Sequence, residues 1–307
     1  MRRCAVFALV ISGSIAASTA PWAQVPVTNP AAPPAPPAPA PAAPAPAPAK
    51  CANPDAIPMS RTVEIDTTGG PGFGFEHFKN HDFLKDHEVV LTFDDGPWVT
   101  TPSVLKTLAD NCIKATFFII GKHATYYPNI LKDEVAAGHT IGFHTWSHMN
   151  LDKKPFDVAK EEIEKGLSAV QWALDGQQTA PFFRFPALKQ PPEVVKYLGE
   201  RNVAIFSCDF DSFDFKMHKP EQVIKSVMAK LEKHGKGIIL MHDFHKNTAE
   251  ALPELLKQMK EKGYKVVHMK PKYTIKSLPE YDELLKKEIK LPTVNNAPTD
   301  SIVKTVQ

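Results

Sequence analysis

Residues 88–120 read EVVLTFDDGPWVTTPSVLKTLADNCIKATFFII. Glu88–Phe93 and Ala115–Ile120 are short runs rich in β-branched and aromatic residues, the composition of strands buried on both faces. Between them Pro102–Asn111 reads as an amphipathic helix, with Pro102 in a first turn that needs no amide donor. A strand, a helix and a second strand form the crossover unit of a parallel sheet.

The pattern continues outward. Further strands are expected at Thr140–His144, Phe182–Phe185, Val203–Ser207, Gly237–His242 and Lys265–His268. Helices are expected at Tyr126–Ala137, Asp157–Leu174, Pro191–Arg201, Pro220–His234 and Ala249–Lys262. Pro191 and Pro220 suit helix starts, and Gly138, Gly235 and Gly263 suit positions just past helix ends. This is an α/β chain of about seven units over residues 88–270. Seven units can close into a (β/α) barrel or stay an open doubly wound sheet, and periodicity leaves both possible.

The ends read differently. Arg2 and Arg3 precede an apolar run, Ala5–Ile11, and small residues up to Ala23, the layout of a secretory signal peptide over residues 1–23. Residues 24–50 are almost wholly Pro and Ala, which predicts a semi-rigid spacer. Residues 51–87 form a lead-in segment that includes the Gly-rich stretch Gly69–Gly74. After Lys270 the pattern is broken by Pro271, Pro279, Pro292 and Pro298, apart from a charged helical piece near Glu280–Ile289; residues 271–307 are expected to be a partly disordered extension. An exported protein is expected, periplasmic or secreted, with tethering to the envelope through an uncleaved N-terminus as a variant.

Composition removes other classes. With 36 Lys+Arg against 34 Asp+Glu the formal charge is +2, which gives no electrostatic case for nucleic acid. No segment after the leader has transmembrane length. Beyond Cys4, which would leave with the leader, Cys51, Cys112 and Cys208 allow one intramolecular bridge without identifying the pair, and no C-x-x-C spacing supports a thiolate metal site. Oligomeric state is left open.

The chemistry sits at strand ends. Asp94 and Asp95 close the first strand, His144 the third, Arg184 falls in the fourth, Asp209, Asp211 and Asp214 follow the fifth, and His242 closes the sixth. In parallel α/β folds these ends converge on one face, where ligands bind. Two adjacent carboxylates in one pocket need a cation to offset their repulsion. His144 and His148, at i and i+4, can face one point on a helical turn or tight loop, and with Asp95 they make a two-His, one-carboxylate set for one divalent ion, zinc first. Arg184 stands in the apolar run Phe182–Pro186, where a guanidinium needs a partner, and Asp94 is the natural one.

In order and spacing these motifs resemble the polysaccharide deacetylases, carbohydrate esterase family four, also called the nodulation-type chitooligosaccharide deacetylase homology domain. The resemblance runs from about Val89 to about His268, with T-F-D-D-G-P and H-x-x-x-H the most specific elements. It implies a distorted (β/α) barrel rather than an open sheet. It implies Asp94 as catalytic base, Asp95, His144 and His148 as metal ligands, Arg184 as the residue that positions the base, and His242 as general acid tuned by Asp214. Leu240, Phe215 and Pro186 are then expected in the substrate pocket, and the Ala187 amide in the oxyanion hole. Two departures stand out. Phe215 replaces the family's usual Trp, and Ala187 and Leu188 replace an aromatic residue and a glycine.

The expected activity is therefore metal-dependent removal of N-acetyl groups from an N-acetylglucosamine-containing glycan, releasing acetate. An O-deacetylase or amidase on another acylated substrate would use the same site. A carbohydrate-binding homologue without activity and a non-haem iron oxygenase, which also uses two histidines and a carboxylate, are the more distant alternatives.

Overall fold

The computed structural model describes residues 51–289; the expected leader, the Pro/Ala spacer and the end of the C-terminal extension lie outside the described residues. Ten strands form one sheet in which every ladder between named strands is parallel. The strands are β1 Met59–Ile65, β2 Gly72–Phe73, β3 Glu88–Asp94, β4 Thr116–Ile119 and β5 Thr140–Phe143. They continue with β6 Phe182–Phe183, β7 Ala204–Phe206, β8 Phe210–Asp211, β9 Gly237–His242 and β10 Lys265–Pro271. The helices are α1 Thr101–Asp110, α2 Gly121–Tyr126, α3 Pro128–Ala136, α4 Phe156–Ala173, α5 Pro192–Glu200, α6 Pro220–His234, α7 Lys246–Glu261 and α8 Pro279–Glu288.

Eight strands lie side by side in the order β8-β9-β3-β4-β5-β6-β7-β2. The ends of this row are tied through loops: Glu76 N donates to Cys208 O at 3.0 Å and Phe75 N to Asp209 Oδ1 at 2.6 Å. The wall therefore curls into a distorted barrel. A Cβ on Gly74 would stand 2.7 Å from the Ser207 and Cys208 backbone, and its φ is +96°, so only glycine allows this approach. The remaining pair departs from the row: β10 joins β3 only at Glu88 and Val89 and carries β1 on its other side.

Alternation along β3 decides what faces where. Val89, Leu91 and Phe93 pack in the cluster shared with the helices, whereas Val90 packs with Phe118, Phe182, Phe206 and Ile238 inside the barrel. Thr92 and Asp94 follow Val90 at period two, so they face inward higher up. The barrel is apolar at its base and polar at its C-terminal mouth.

All seven expected strands are present, and β1, β2 and β8 add to them. Residues 59–65, read as part of a lead-in, alternate polar and half-buried positions at the edge of the sheet. The helix expected over Tyr126–Ala137 is α3, which starts at Pro128; Tyr127 at φ −130°, ψ 52° separates it from α2, a short helix the sequence pattern did not mark. Pro191 stands at the cap of α5, and Pro192 opens the helix. Part of the extension is packed structure: α8 lies on α4, with Leu285 1% exposed against Trp146 and Ala169. No helix among the described residues is long and apolar enough to cross a membrane.

Cys51 and Cys112 are bonded across 61 residues, and Cys208 is a buried free thiol. The bridge ties the start of the described chain to the end of α1. A closed loop of this length is worth about 4 kcal/mol in the chain-entropy treatment. The Cys51→Ser/Cys112→Ser double variant is expected to lose about 2–4 kcal/mol of unfolding free energy, read from urea titrations against the parent protein. An unchanged midpoint would mean the bridge does not constrain the unfolded chain.

Candidate metal centre and cleft

The mouth of the barrel opens into a cleft of about 900 Å³ whose lining includes Asp94, Asp95, His144, His148, Ala187, Phe215, Leu240 and His242. Asp94 and Asp95 arrive at the end of β3, where the chain leaves the sheet through a left-handed residue, Asp95 at φ 72°. The turn points the two carboxylates differently. Asp94, 2% exposed, stays within the barrel and accepts from Arg184 Nη1 at 2.7 Å. Asp95 faces the histidines.

His144 follows β5, and His148 lies four residues on in a loop rather than a helix, with Thr145 and His148 both at positive φ. His148 N donates to Thr145 Oγ1 at 3.0 Å, which turns the loop back on itself. The loop is braced from α4: Glu162 accepts from Ser147 N and Ser147 Oγ at 2.9 Å each, and its carbonyl accepts from Trp146 N at 2.7 Å. Gly166 lets the helix touch the loop, since a Cβ there would lie 2.5 Å from the Thr145 carbonyl carbon. Trp146 in turn packs on Leu285 of α8.

Asp95 Oδ1 lies 3.5 Å from His144 Nε2 and 3.4 Å from His148 Nε2, too long for good hydrogen bonds, and it is buried with no hydrogen-bond partner. Ligands about 2.1 Å from a tetrahedral zinc lie about 3.4 Å apart. The three residues, with donor atoms all within 4.8 Å of one another, therefore fit one divalent ion. Burial lowers the His144 pKa despite the opposing charges of Asp94 and Asp95, which favours the neutral imidazole that binds metal. Its Nδ1 donates to Arg184 O at 2.6 Å, leaving Nε2 free.

Across the mouth, His242 ends β9. Its Nδ1 and backbone N pair with Asp214 Oδ1 and Oδ2 at 2.6 and 2.8 Å, and Thr248 Oγ1 donates to the same carboxylate at 2.6 Å. Burial alone would raise the Asp214 carboxyl, but the His242 hydrogen bond and charge hold it below the ordinary value. Burial would likewise lower His242; the bond and charge of Asp214, with Asp95 and Asp94 behind them, instead push it up to about 10. The Asp214 carboxylate thus favours the protonated imidazole, whose Nε2 lies 3.9 Å from Asp95 Oδ2.

Other expected site residues are distributed as follows. Ala187, at φ 51°, and Leu188 turn outward into the cleft, and that turn's own hydrogen bonds are donated by Leu188 and Lys189. Pro186, expected in the pocket, is buried behind the turn and does not line the cleft. Phe215 stands edge-on to His242, with ring centres 5.5 Å apart.

Similarity to known proteins follows this geometry. A family model described as polysaccharide deacetylase matches residues 82–205. A Bacillus cereus peptidoglycan-N-acetylglucosamine deacetylase is 33% identical over 190 residues, covering 59% of this chain and 68% of that protein. The chain belongs to the polysaccharide deacetylase family. The Listeria monocytogenes peptidoglycan-N-acetylglucosamine deacetylase PgdA is 36% identical over 183 residues, a match spanning 58% of this chain but only 37% of that protein's length. Among solved structures, a Bdellovibrio bacteriovorus peptidoglycan deacetylase superposes with a TM-score of 0.64 at 31% identity, covering 71% of this chain and 60% of that one.

Several supporting residues escaped the sequence reading. Asp243, directly after His242, is fully buried; Thr101 Oγ1 donates to its carboxylate, and Thr100 Oγ1 to its carbonyl at 2.7 Å. It locks the loop after Asp95 to the loop after His242. The signal was an acid directly following an apolar strand. Glu162 and Gly166 carried no comparable signal, because charged and small residues are ordinary in an amphipathic helix.

Gly166→Ala is expected to raise the zinc Kd about tenfold or more by displacing the His144–His148 loop, and His148→Ala to remove stoichiometric zinc binding. Chelator-competition titration measures both. Unchanged affinity in Gly166→Ala would show that the loop holds its shape without α4.

Proposed function

We propose that this protein is a metal-dependent deacetylase that hydrolyses N-acetyl groups on N-acetylglucosamine-type residues of a glycan, releasing acetate and a free amine. One observation carries the reading. A carboxylate outside the trio Asp95, His144 and His148, that of Asp94, is held beside it by a buried arginine, with the His242 imidazole, hydrogen-bonded to Asp214, opposite.

Asp95, His144 and His148 would hold the divalent ion, zinc by the donor set and spacing. Such an ion supplies Lewis acidity that lowers the pKa of water and polarises an acyl carbonyl. Asp94, oriented by Arg184, takes the proton of the attacking water. His242 gives its proton to the departing amine, a poor leaving group when unprotonated, and Asp214 holds the ring for that transfer. The Ala187 amide donates to the developing oxyanion; one such donor is worth about 2.7–4 kcal/mol. Leu240 and Phe215 wall the acetyl and sugar positions. Work outside the cytoplasm is part of the same proposal, supported by the Cys51–Cys112 bridge and the signal-like N-terminal sequence.

Acetate release from a panel of acetylated glycans, with and without chelator, tests the activity. Asp94→Asn is expected to lower turnover by about 10²–10⁴ or more while still binding zinc. Full activity in Asp94→Asn protein would remove Asp94 as the base.

The proton on His242 gives a pH prediction with a definite sign. Asp214 favours the imidazolium, so Asp214→Asn lowers the His242 pKa. The basic limb of kcat/KM is expected to move to lower pH by about one to three units. A basic limb that stays in place would mean that another group supplies the proton.

A further inference from the structure

A separate cavity of about 240 Å³ lies toward the other end of the barrel from the mouth. Its wall includes Thr140, the first residue of β5, whereas His144 follows the last, so the two sites stand about 13 Å apart along one strand. The ends of α3 and α4 meet the start of β5 and the chain leaving β10 here. That frame is fixed by hydrogen bonds. Thr140 Oγ1 donates to Met269 O at 2.6 Å, Ile275 N to Thr179 O at 3.0 Å, and Thr274 Oγ1 to Gln178 Oε1 at 2.6 Å.

The polar groups left free in this wall are mostly donors. His139 is 7% exposed, and its Nδ1 accepts from Ala115 N at 3.1 Å, so in the neutral ring Nε2 carries the hydrogen. Burial, and after it the charge of Lys114, lowers the His139 pKa to about 3 and keeps the ring neutral. Among the described residues nothing accepts from that N–H. The Gln178 amide has its oxygen occupied by Thr274 and its NH2 free. Thr179, in the same wall and 5% exposed, has a hydroxyl with no partner. The charges here are cationic. Lys270 lines the cavity, Lys114 Cε would lie 3.6 Å from a Cβ on the lining residue Gly138, and no Asp or Glu is in the wall. Glu64, the register partner of Lys270 in β1, makes no ion pair with it. The helix-end carbonyls that would repel an anion are already paired: Glu134 O accepts from His139 N, Val135 O from Gly138 N, and Leu174 O from Gln177 N.

The geometry points to this cavity as a binding site for a small organic carboxylate, whose oxygens meet the His139 Nε2–H, the Gln178 amide and the Lys270 ammonium while its body lies on Val135, Ile141 and Leu174. The inference goes beyond the deacetylase reading and does not depend on it. Charge and shape argue against other occupants. A metal ion would find no carboxylate ligand, and a sugar would find no Phe, Tyr or Trp face, since none lines the cavity. An inorganic anion would leave the apolar wall uncovered. The cavity is smaller than the roughly 300 Å³ at which drug-sized sites begin, so the acid is small, and benzoate is a fitting probe.

The test is calorimetric titration of the zinc-loaded full chain with benzoate, acetate and inorganic phosphate. Carboxylates also bind zinc, so each titration is repeated on His148→Ala protein, in which the mouth is expected to hold no stoichiometric ion. Benzoate is expected to bind both proteins with a Kd on the order of a millimolar or tighter, and acetate about tenfold more weakly for want of an apolar body. Lys270→Glu, which reverses an exposed charge, and Val135→Phe, which fills the cavity from its apolar side, are each expected to raise the benzoate Kd about tenfold while leaving zinc affinity as it was. In nitrogen-15 spectra of histidine-labelled His148→Ala protein, benzoate is expected to shift the His139 ring signals. No benzoate binding to His148→Ala protein, or a Kd that neither cavity variant changes, overturns the site. Phosphate binding as tight as benzoate overturns the organic acid as its ligand. Should either cavity variant fail to fold, the His139 signals decide: signals that benzoate does not move overturn the site.

Discussion

A guanidinium buried inside the barrel is the constraint on which the rest of the site depends. Arg184 is 0% exposed, and an unpaired charge there would be strongly unfavourable. All three of its nitrogens are engaged instead. Nε donates to Phe206 O, Nη2 to Ser207 O, and Nη1 to both Thr92 Oγ1 and Asp94 Oδ1, while the group lies 4.2 Å from the centre of the Phe118 ring. One side chain thereby joins β3, β4 and the end of β7. Its own carbonyl accepts from His144 Nδ1, so the residue that orients the proposed base also sets the tautomer of a proposed ligand.

The opposite half of the site is organised separately and joined by register. Asp94 and His242 are direct partners in the β3–β9 ladder, so the two strands deliver a carboxylate and an imidazole to the same level of the mouth. Asp214, itself held by the Thr248 hydroxyl, holds the imidazole, and Asp243 bolts the two exit loops together. Asp94, His144 and His242 thus stand at or just past the ends of strands whose relative heights are fixed by backbone hydrogen bonds, with Asp95 and His148 on the loops that follow, the precision that the proposed acyl transfer requires.

How much of this could be read from the sequence followed burial. The strands covered on both faces announced themselves as apolar runs, and the polar residues that ended those runs met at one mouth. Strands β2 and β8 have two residues each, and β1 lies at an edge with mixed exposure, so none made an apolar run. Asp94, Asp95, His144, His148 and His242 were legible because ionisable groups at strand ends are conspicuous. Pro186 was misplaced because a motif position does not reveal which residues of a tight turn face outward. Glu162, Gly166 and α8 act on the His144–His148 loop through contacts between segments distant along the chain, which no local pattern encodes.

Anomalous diffraction at the zinc edge from crystals of the zinc-loaded protein tests the central claim most directly. A single strong peak about 2.1 Å from Asp95, His144 Nε2 and His148 Nε2, with Asp94 still paired to Arg184 and outside the coordination shell, is the predicted result. A peak that draws Asp94 away from Arg184 as a ligand, or that lies away from the histidine loop, would contradict it.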